Sequence, residues 1–426
     1  MSAVSQDVLV AGGIFVVAYA LIATEKLDRT LVALAGGLLM IALGILDQHE
    51  AFAAIDFNVI FLLAGMMILA RSAARTGLFE AIALWAVRRG GHHPFGLLVI
   101  LALITAGLSA FLDNVTTVVL LAPVAISVAR TLKVNPVPFL VALILASNIG
   151  GTATLIGDPP NILIGSAAGL GFMDFLVNLA PVVLIILVAF VGIMWAFFAV
   201  PLKPPPERFF VTLPMDPVDA IHDWGLLARA LVVLALTLVG FMLHGLLGLE
   251  VATVALLGAT ALMLISDLEP RETLREIEWP TLFFFFGLFI LVEGIVKVGI
   301  VTDIAEAIVA ASGGHESVAA LAILWFSAGA SAIVDNIPYT ATAIPIVDRL
   351  VQSGLSADAL WWSLALGACL GGNLTIVGAS ANIVVANTAA REDHPIRFGE
   401  FLKYGAAVVA ASMVISTLYV WVRYLG

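Results

Sequence analysis

The sequence predicts an all-α polytopic membrane protein. It comprises two inverted repeats, each of five transmembrane helices plus one re-entrant hairpin, with one broken helix per repeat. Three observations predict it. The chain is 62% hydrophobic and only 12% charged over 426 residues, where soluble domains average about 25% charged. It also reads twice. Ala106–Asn114 returns as Ala328–Asn336, with Asp113 and Asp335 222 residues apart, and Gly150-Gly151 returns as Gly371-Gly372, 221 apart. Apolar residues match by chance in such a chain, but Gly, Asp, Asn and Pro at a fixed offset do not. Finally, its Lys and Arg residues segregate to one side of the predicted membrane.

The elements follow in order. Met1–Val10 carries Asp7 and no Lys or Arg. It lacks the basic start of a cleaved signal, so the first helix is expected to stay. Spans are expected at about 8–23, 30–46, 57–71, 138–170 and 175–200, each near the length that crosses ~30 Å of hydrocarbon. The stretch 72–90 is amphipathic and suits the interface. Residues 95–130 are apolar but broken at Asp113-Asn114, which predicts a re-entrant hairpin of two half-helices. Pro201–Gly225 holds six of the 18 prolines and reads as a linker, because Pro cannot continue a helix. The second half repeats the order at about 226–243, 251–267, 279–296, an interfacial 297–311, a hairpin 318–350, then 358–390 and 404–424. The expected domains are therefore 1–200, a cytoplasmic linker 201–225, and 226–426.

Five crossings per half is an odd number, so the second copy inserts upside down. With the amino terminus outside, 16 of the 19 Lys and Arg face the cytoplasm, leaving Lys297, Arg349 and Arg423 outside. That bias predicts both termini outside a plasma membrane.

Non-helical backbone is tolerated at membrane depth only where protein or a cavity satisfies it. Gly150, Gly151, Gly371 and Gly372 are the expected breakpoints, lined by Thr152, Thr154, Asn373 and Thr375. Asp158 before Pro159-Pro160 reads as an N-cap, and Ser380 as its counterpart. Free amides and carbonyls at such breaks bind ions or hydroxyls. A glycine packing contact is the bland alternative.

Asp113-Asn114 and Asp335-Asn336 are sharper. An intramembrane carboxylate costs at least ~2.5 kcal/mol, so one kept in both copies is a functional candidate. Facing hairpin tips would bring both pairs together, with Thr116, Thr117 and Thr340 nearby. A dry site favours the neutral carboxyl, which suits Asp113 and Asp335 to proton coupling. The simpler reading is that each only caps the second arm of its hairpin.

Asn148 and the single cysteine, Cys369, each lie two residues before a break. A soft thiol suits As(III), but a small buried packing residue is the plainer reading. One cysteine excludes an internal disulfide and a thiolate metal cluster. The seven His read as surface residues in loops or helix ends, none at metal spacing. No metal or cofactor is expected.

Through Asp113-Asn114-Val115-Thr116-Thr117, Ser147–Asn161 with its Gly157-Asp158-Pro159-Pro160-Asn161 run, and Asp335-Asn336-Ile337-Pro338, the chain resembles the ion transporter superfamily. The arsenite permeases (ArsB) are the branch it looks most like, with the melanosomal P protein and the NhaD sodium/proton antiporters as relatives. The resemblance spans essentially the whole chain. It implies inverted repeats, opposed hairpins, two broken helices, a homodimer and an elevator motion. The polar residues of the tips and breaks give the expected substrate site: Asn114, Thr117, Asn148, Thr152, Thr154, Asn336, Thr340, Asn373 and Thr375. The dicarboxylate branch carries Ser-Asn-Thr at each hairpin tip, where this chain has Asp113 and Asp335 in the Ser position. A carboxylate there repels a dianion.

The expected function is secondary active efflux of arsenite or antimonite, driven by proton influx. A sodium/proton antiporter is the alternative on the same fold. An intramembrane aspartyl protease would need Gly-x-Gly-Asp, and Leu155 stands where the first Gly should be. An ATPase subunit is a candidate partner; nucleic acid is not.

Overall fold

A computed structural model of the chain describes residues 6–24, 26–90, 93–202, 216–266 and 268–426. Most of the linker expected at 201–225, including Lys203 and Arg208, lies outside the described residues, as do His92 and the first five residues.

Among the described residues, twenty α-helices fall into two sets of ten. The first is α1 (Gln6–Thr24), α2 (Arg29–Ala42), α3 (Gln48–Ala53), α4 (Phe57–Ala74), α5 (Leu78–Gly90), α6 (Pro94–Ser109), α7 (Asn114–Thr131), α8 (Val137–Gly151), α9 (Pro159–Ala168) and α10 (Phe172–Phe198). The second is α11 (Trp224–Leu247), α12 (Val251–Ile265), α13 (Pro270–Arg275), α14 (Trp279–Lys297), α15 (Ile300–Ser312), α16 (Glu316–Ser331), α17 (Asn336–Gln352), α18 (Ala357–Gly371), α19 (Ser380–Arg391) and α20 (Phe398–Val420). Seven of the described helices are long and apolar enough to cross a membrane, counting α20 with its terminal turn.

Packing repeats with the sequence. The second helix of each set lies on the fourth of the other, α2 on α14 and α12 on α4. The sixth lies on the eighth of its own set, α6 on α8 and α16 on α18. The ninth meets the seventh of the other, α9 on α17 and α19 on α7. Small residues set the close crossings in equivalent places. A Cβ on Gly65 would stand 2.8 Å from the Ala255 backbone, and one on Gly287 2.4 Å from that of Ala33. Without water, helices associate through such close packing.

The hairpins are α6–α7 and α16–α17, with arms of 16 to 18 residues, longer than the half-helices expected. The broken helices are α8–α9 and α18–α19; a 3₁₀ turn at Ile376–Gly378 sits in the second break. The interfacial stretches are α5 and α15. Two short helices were not anticipated, α3 and α13. A capping box explains α3: Asp47 accepts from the Glu50 amide and Glu50 from that of Asp47.

Candidate functional site

Each hairpin turns on an aspartate. Asp113 accepts from the Thr116 amide at 2.8 Å and Asp335 from the Ile337 amide at 3.0 Å, so both cap the arms that follow. The next residues, Asn114 and Asn336, are buried first residues of α7 and α17. Hydroxyls fasten each tip to a break. Ser109 donates to the Ser147 carbonyl at 2.7 Å and Ser331 to that of Ala368 at 2.6 Å. Thr154 donates to the Ala110 carbonyl and Thr375 to that of Ala332. Gly150 and Gly371 allow the approach. A Cβ on Gly150 would fall 2.1 Å from the Ala106 oxygen, and one on Gly371 2.5 Å from that of Ala328.

Paired asparagines then close the breaks. Asn161 donates to the Thr152 and Thr154 carbonyls, and Asn382 to those of Gly372 and Thr375, at 2.8–3.1 Å. This satisfies backbone that has left the helix at depth. Neither asparagine was anticipated as a site residue. Their recurrence 221 residues apart was the available signal.

The two halves meet at Asn148. It accepts from Asn114 at 3.1 Å and donates to Asn373 and Asn382, each at 2.9 Å. Asn114, Asn148 and Asn373 thus gather in one buried cluster, which Asn336 joins through Asp158. The threonines differ. Thr152 donates to the Asn148 carbonyl and Thr340 to that of Asn336, both at 2.7 Å. With Thr154 and Thr375, they spend their protons on backbone and offer only lone pairs. Thr117 Oγ1 and Asn114 Oδ1 are buried without a hydrogen-bond partner among the described residues.

Three sequence readings are corrected. Asp158 stands at the N-cap of α9 but makes no capping bond. Its fully buried carboxylate instead accepts from Asn114 at 3.2 Å and from Asn336 at 3.2 and 3.3 Å, one asparagine from each hairpin. Proline explains the lost cap: Pro159 and Pro160 remove amide donors from the first turn. The aligned residue in the second copy is Ala379, so the asymmetry was visible though its meaning was not. Ser380 is not a cap either. It donates to Asp335 at 2.5 Å. His244 is half-buried in the last turn of α11, its Nδ1 3.2 Å from the Leu249 carbonyl oxygen.

Arg29 brings a cation to the tip of the second hairpin. From the start of α2 it reaches Asp335 at 3.3 Å and donates to Ser380. Tyr19 of α1 donates to the Pro338 carbonyl at 2.7 Å. The first two helices therefore hold the second hairpin. Cys369 is buried and donates to Asn161 Oδ1 at 3.4 Å, at the edge of the cluster.

Comparisons with known proteins bear on the family and the fold. The citrate transporter family, CitMHS, matches residues 19–367. An uncharacterized transporter of Mycobacterium tuberculosis is 46% identical over 98% of this chain and 99% of its own length. The human P protein is 32% identical over 99% of this chain, which spans 60% of that protein. This supports the resemblance noted from the motifs. MtrF of Neisseria gonorrhoeae, of a class of antimetabolite efflux pumps, superposes with a TM-score of 0.64 over 100% of this chain and 97% of its own, at 14% identity. At that identity the likeness concerns the fold alone. The chain is a multi-pass membrane protein of the citrate transporter family, a transporter and not an enzyme.

Proposed function

We propose that this chain is a secondary active transporter that exports arsenite or antimonite across the plasma membrane in exchange for protons. The observation that carries this reading is the character of the buried cluster: amides, hydroxyls and a carboxylate, with spare acceptors at Asn114 Oδ1 and Thr117 Oγ1. Arsenous acid is neutral at pH 7 and brings three O–H donors. Citrate, the substrate in the family's name, would bring several negative charges against Asp158. Two like charges 4 Å apart repel by about 4 kcal/mol at an effective dielectric near 20, roughly a thousandfold in affinity. Arg29, the cation at the second hairpin tip, is already paired with Asp335.

In this reading Asn114, Thr117, Asn148, Thr152, Thr154, Asn336, Thr340, Asn373 and Thr375 surround the substrate, and the Gly150-Gly151 and Gly371-Gly372 breaks supply backbone groups. A site carboxylate carries the coupling charge, Asp113 and Asp335 being those the duplication nominates. Residues 1–200 and 226–426 form opposed repeats joined by a cytoplasmic linker, with both termini outside. Two copies pair, and the hairpins and breaks move as a unit against the remaining helices.

The test is flux in proteoliposomes holding the purified chain. A pH gradient should drive arsenite and antimonite movement and leave citrate unmoved. All-oxygen surroundings also suit a hard cation, so a sodium/proton antiporter is the second reading. It takes precedence if arsenite is not moved and sodium dissipates the pH gradient.

A further inference from the structure

We infer that the coupling proton is carried by Asp158, at the centre of the cluster, rather than by the tip aspartates. This rests on the transporter reading above and assigns its ion-carrying residue. Asp158 is fully buried, and among the described residues no ion pair reaches it. An uncompensated carboxylate in such a place is costly, and the amino end of α9 offsets only part of that. Its hydrogen bonds come from neutral amides and measure 3.2–3.3 Å, at the long end of the N–H···O range.

Protonation turns one Asp158 oxygen into a donor. The cluster also holds two buried acceptor oxygens without a hydrogen-bond partner among the described residues, Asn114 Oδ1 and Thr117 Oγ1. The tip aspartates are otherwise engaged. Asp113 caps α7, and Asp335 caps α17 while paired with Arg29 and Ser380. The titratable groups around Asp158 are Cys369 from α18 and the two tip aspartates. Asp335 has Arg29 to balance it.

The geometry also gives a cycle. Asn114 and Asn336 come from opposite hairpins and share this one carboxylate. A charged Asp158 accepts from a hydroxylated solute. A neutral Asp158 donates instead and takes up the spare acceptors that the solute's hydroxyls need. Proton and substrate thus compete for the same donors and acceptors, which an exchanger requires. Ala379 in the aligned place explains why the duplicated site carries one such proton and not two.

Infrared difference spectra of the full chain in lipid, recorded between acid and alkaline pH, should show the C=O stretch of a protonated buried carboxyl. The band should vanish in Asp158→Asn and survive in Asp113→Asn and Asp335→Asn. In proteoliposomes, Asp158→Asn should lose pH-gradient-driven arsenite accumulation, while Asp158→Glu should retain it with a displaced pH profile. A band that persists in Asp158→Asn, or gradient-driven accumulation by that variant, overturns the assignment. If Asp158→Asn does not fold, Asp158→Glu decides: an unmoved band and pH profile also overturn it. If wild type moves no arsenite but the band follows Asp158, the substrate reading fails and the proton site stands.

Discussion

Asn148 and Asn373, 225 residues apart in sequence, are joined side chain to side chain at 2.9 Å. Each belongs to the break region of its own half, and Asn148 also accepts from Asn114 and donates to Asn382. Replacing it with Ala strands two buried acceptors at once, on Asn373 and Asn382, and leaves the Asn114 amide with Asp158 alone. Each orphan costs about 1–3 kcal/mol. Asn148→Ala should therefore lower the melting temperature in detergent more than Ser363→Ala, whose buried hydroxyl has no partner to lose. Equal melting temperatures would remove Asn148 as the joint between halves.

Much of this arrangement was legible in the sequence. Hairpin tips and breaks could be placed because Asp113-Asn114 and Gly150-Gly151 each occur twice, and polar residues repeated at a fixed offset in an apolar chain have few other causes. Asp158 and Arg29 were not legible, because they break the repeat. A lone Asp before two prolines looks like a cap, and an Arg at a helix start looks like a boundary charge. Only the folded contact of α2 and α9 with the second hairpin gives them their roles. The short α3 and α13 were missed because six residues are too few for a periodic signal.

Glycines of the hairpins and breaks separate into two classes. Gly150 and Gly371 face backbone at 2.1 and 2.5 Å from where a Cβ would sit, while Gly107 and Gly329 face nothing within 4 Å. Overpacking of a fixed backbone contact costs about 1–3 kcal/mol or more. Gly150→Ala and Gly371→Ala should destabilise the protein and reduce flux. Gly107→Ala and Gly329→Ala should change stability little, or raise it slightly through helix propensity. Thermal melts of the four variants would check this, and an ordering with the open-space pair worst would contradict the close approach of tip and break.

The Arg29–Asp335 pair should behave as a coupled unit. Removing one partner of a buried pair leaves an uncompensated charge, at about 3–5 kcal/mol when burial is complete. Arg29 is 32% exposed on its side chain, so solvent screens part of that, and a smaller loss is expected. Arg29→Met alone should destabilise the second hairpin and slow transport. Asp335→Asn added to Arg29→Met should recover part of the stability, since no unpaired charge then remains. A double-mutant cycle on melting temperature measures this, and strictly additive losses would mean that the two residues act independently.

The proposed inversion of the repeats has its cleanest test at α3 and α13, which begin 222 residues apart at Gln48 and Pro270. Equivalent elements of inverted repeats belong on opposite faces of the membrane. Gln48 and Glu272 are both exposed, and the native Cys369 is buried, so background labelling should be low. Gln48→Cys should react with a membrane-impermeant maleimide added to intact cells. Glu272→Cys should react only after the membrane is opened. The Lys and Arg bias predicts that direction. Labelling of both from outside would contradict opposed repeats. Labelling of Glu272→Cys alone would keep the inversion and reverse its orientation, placing both termini in the cytoplasm.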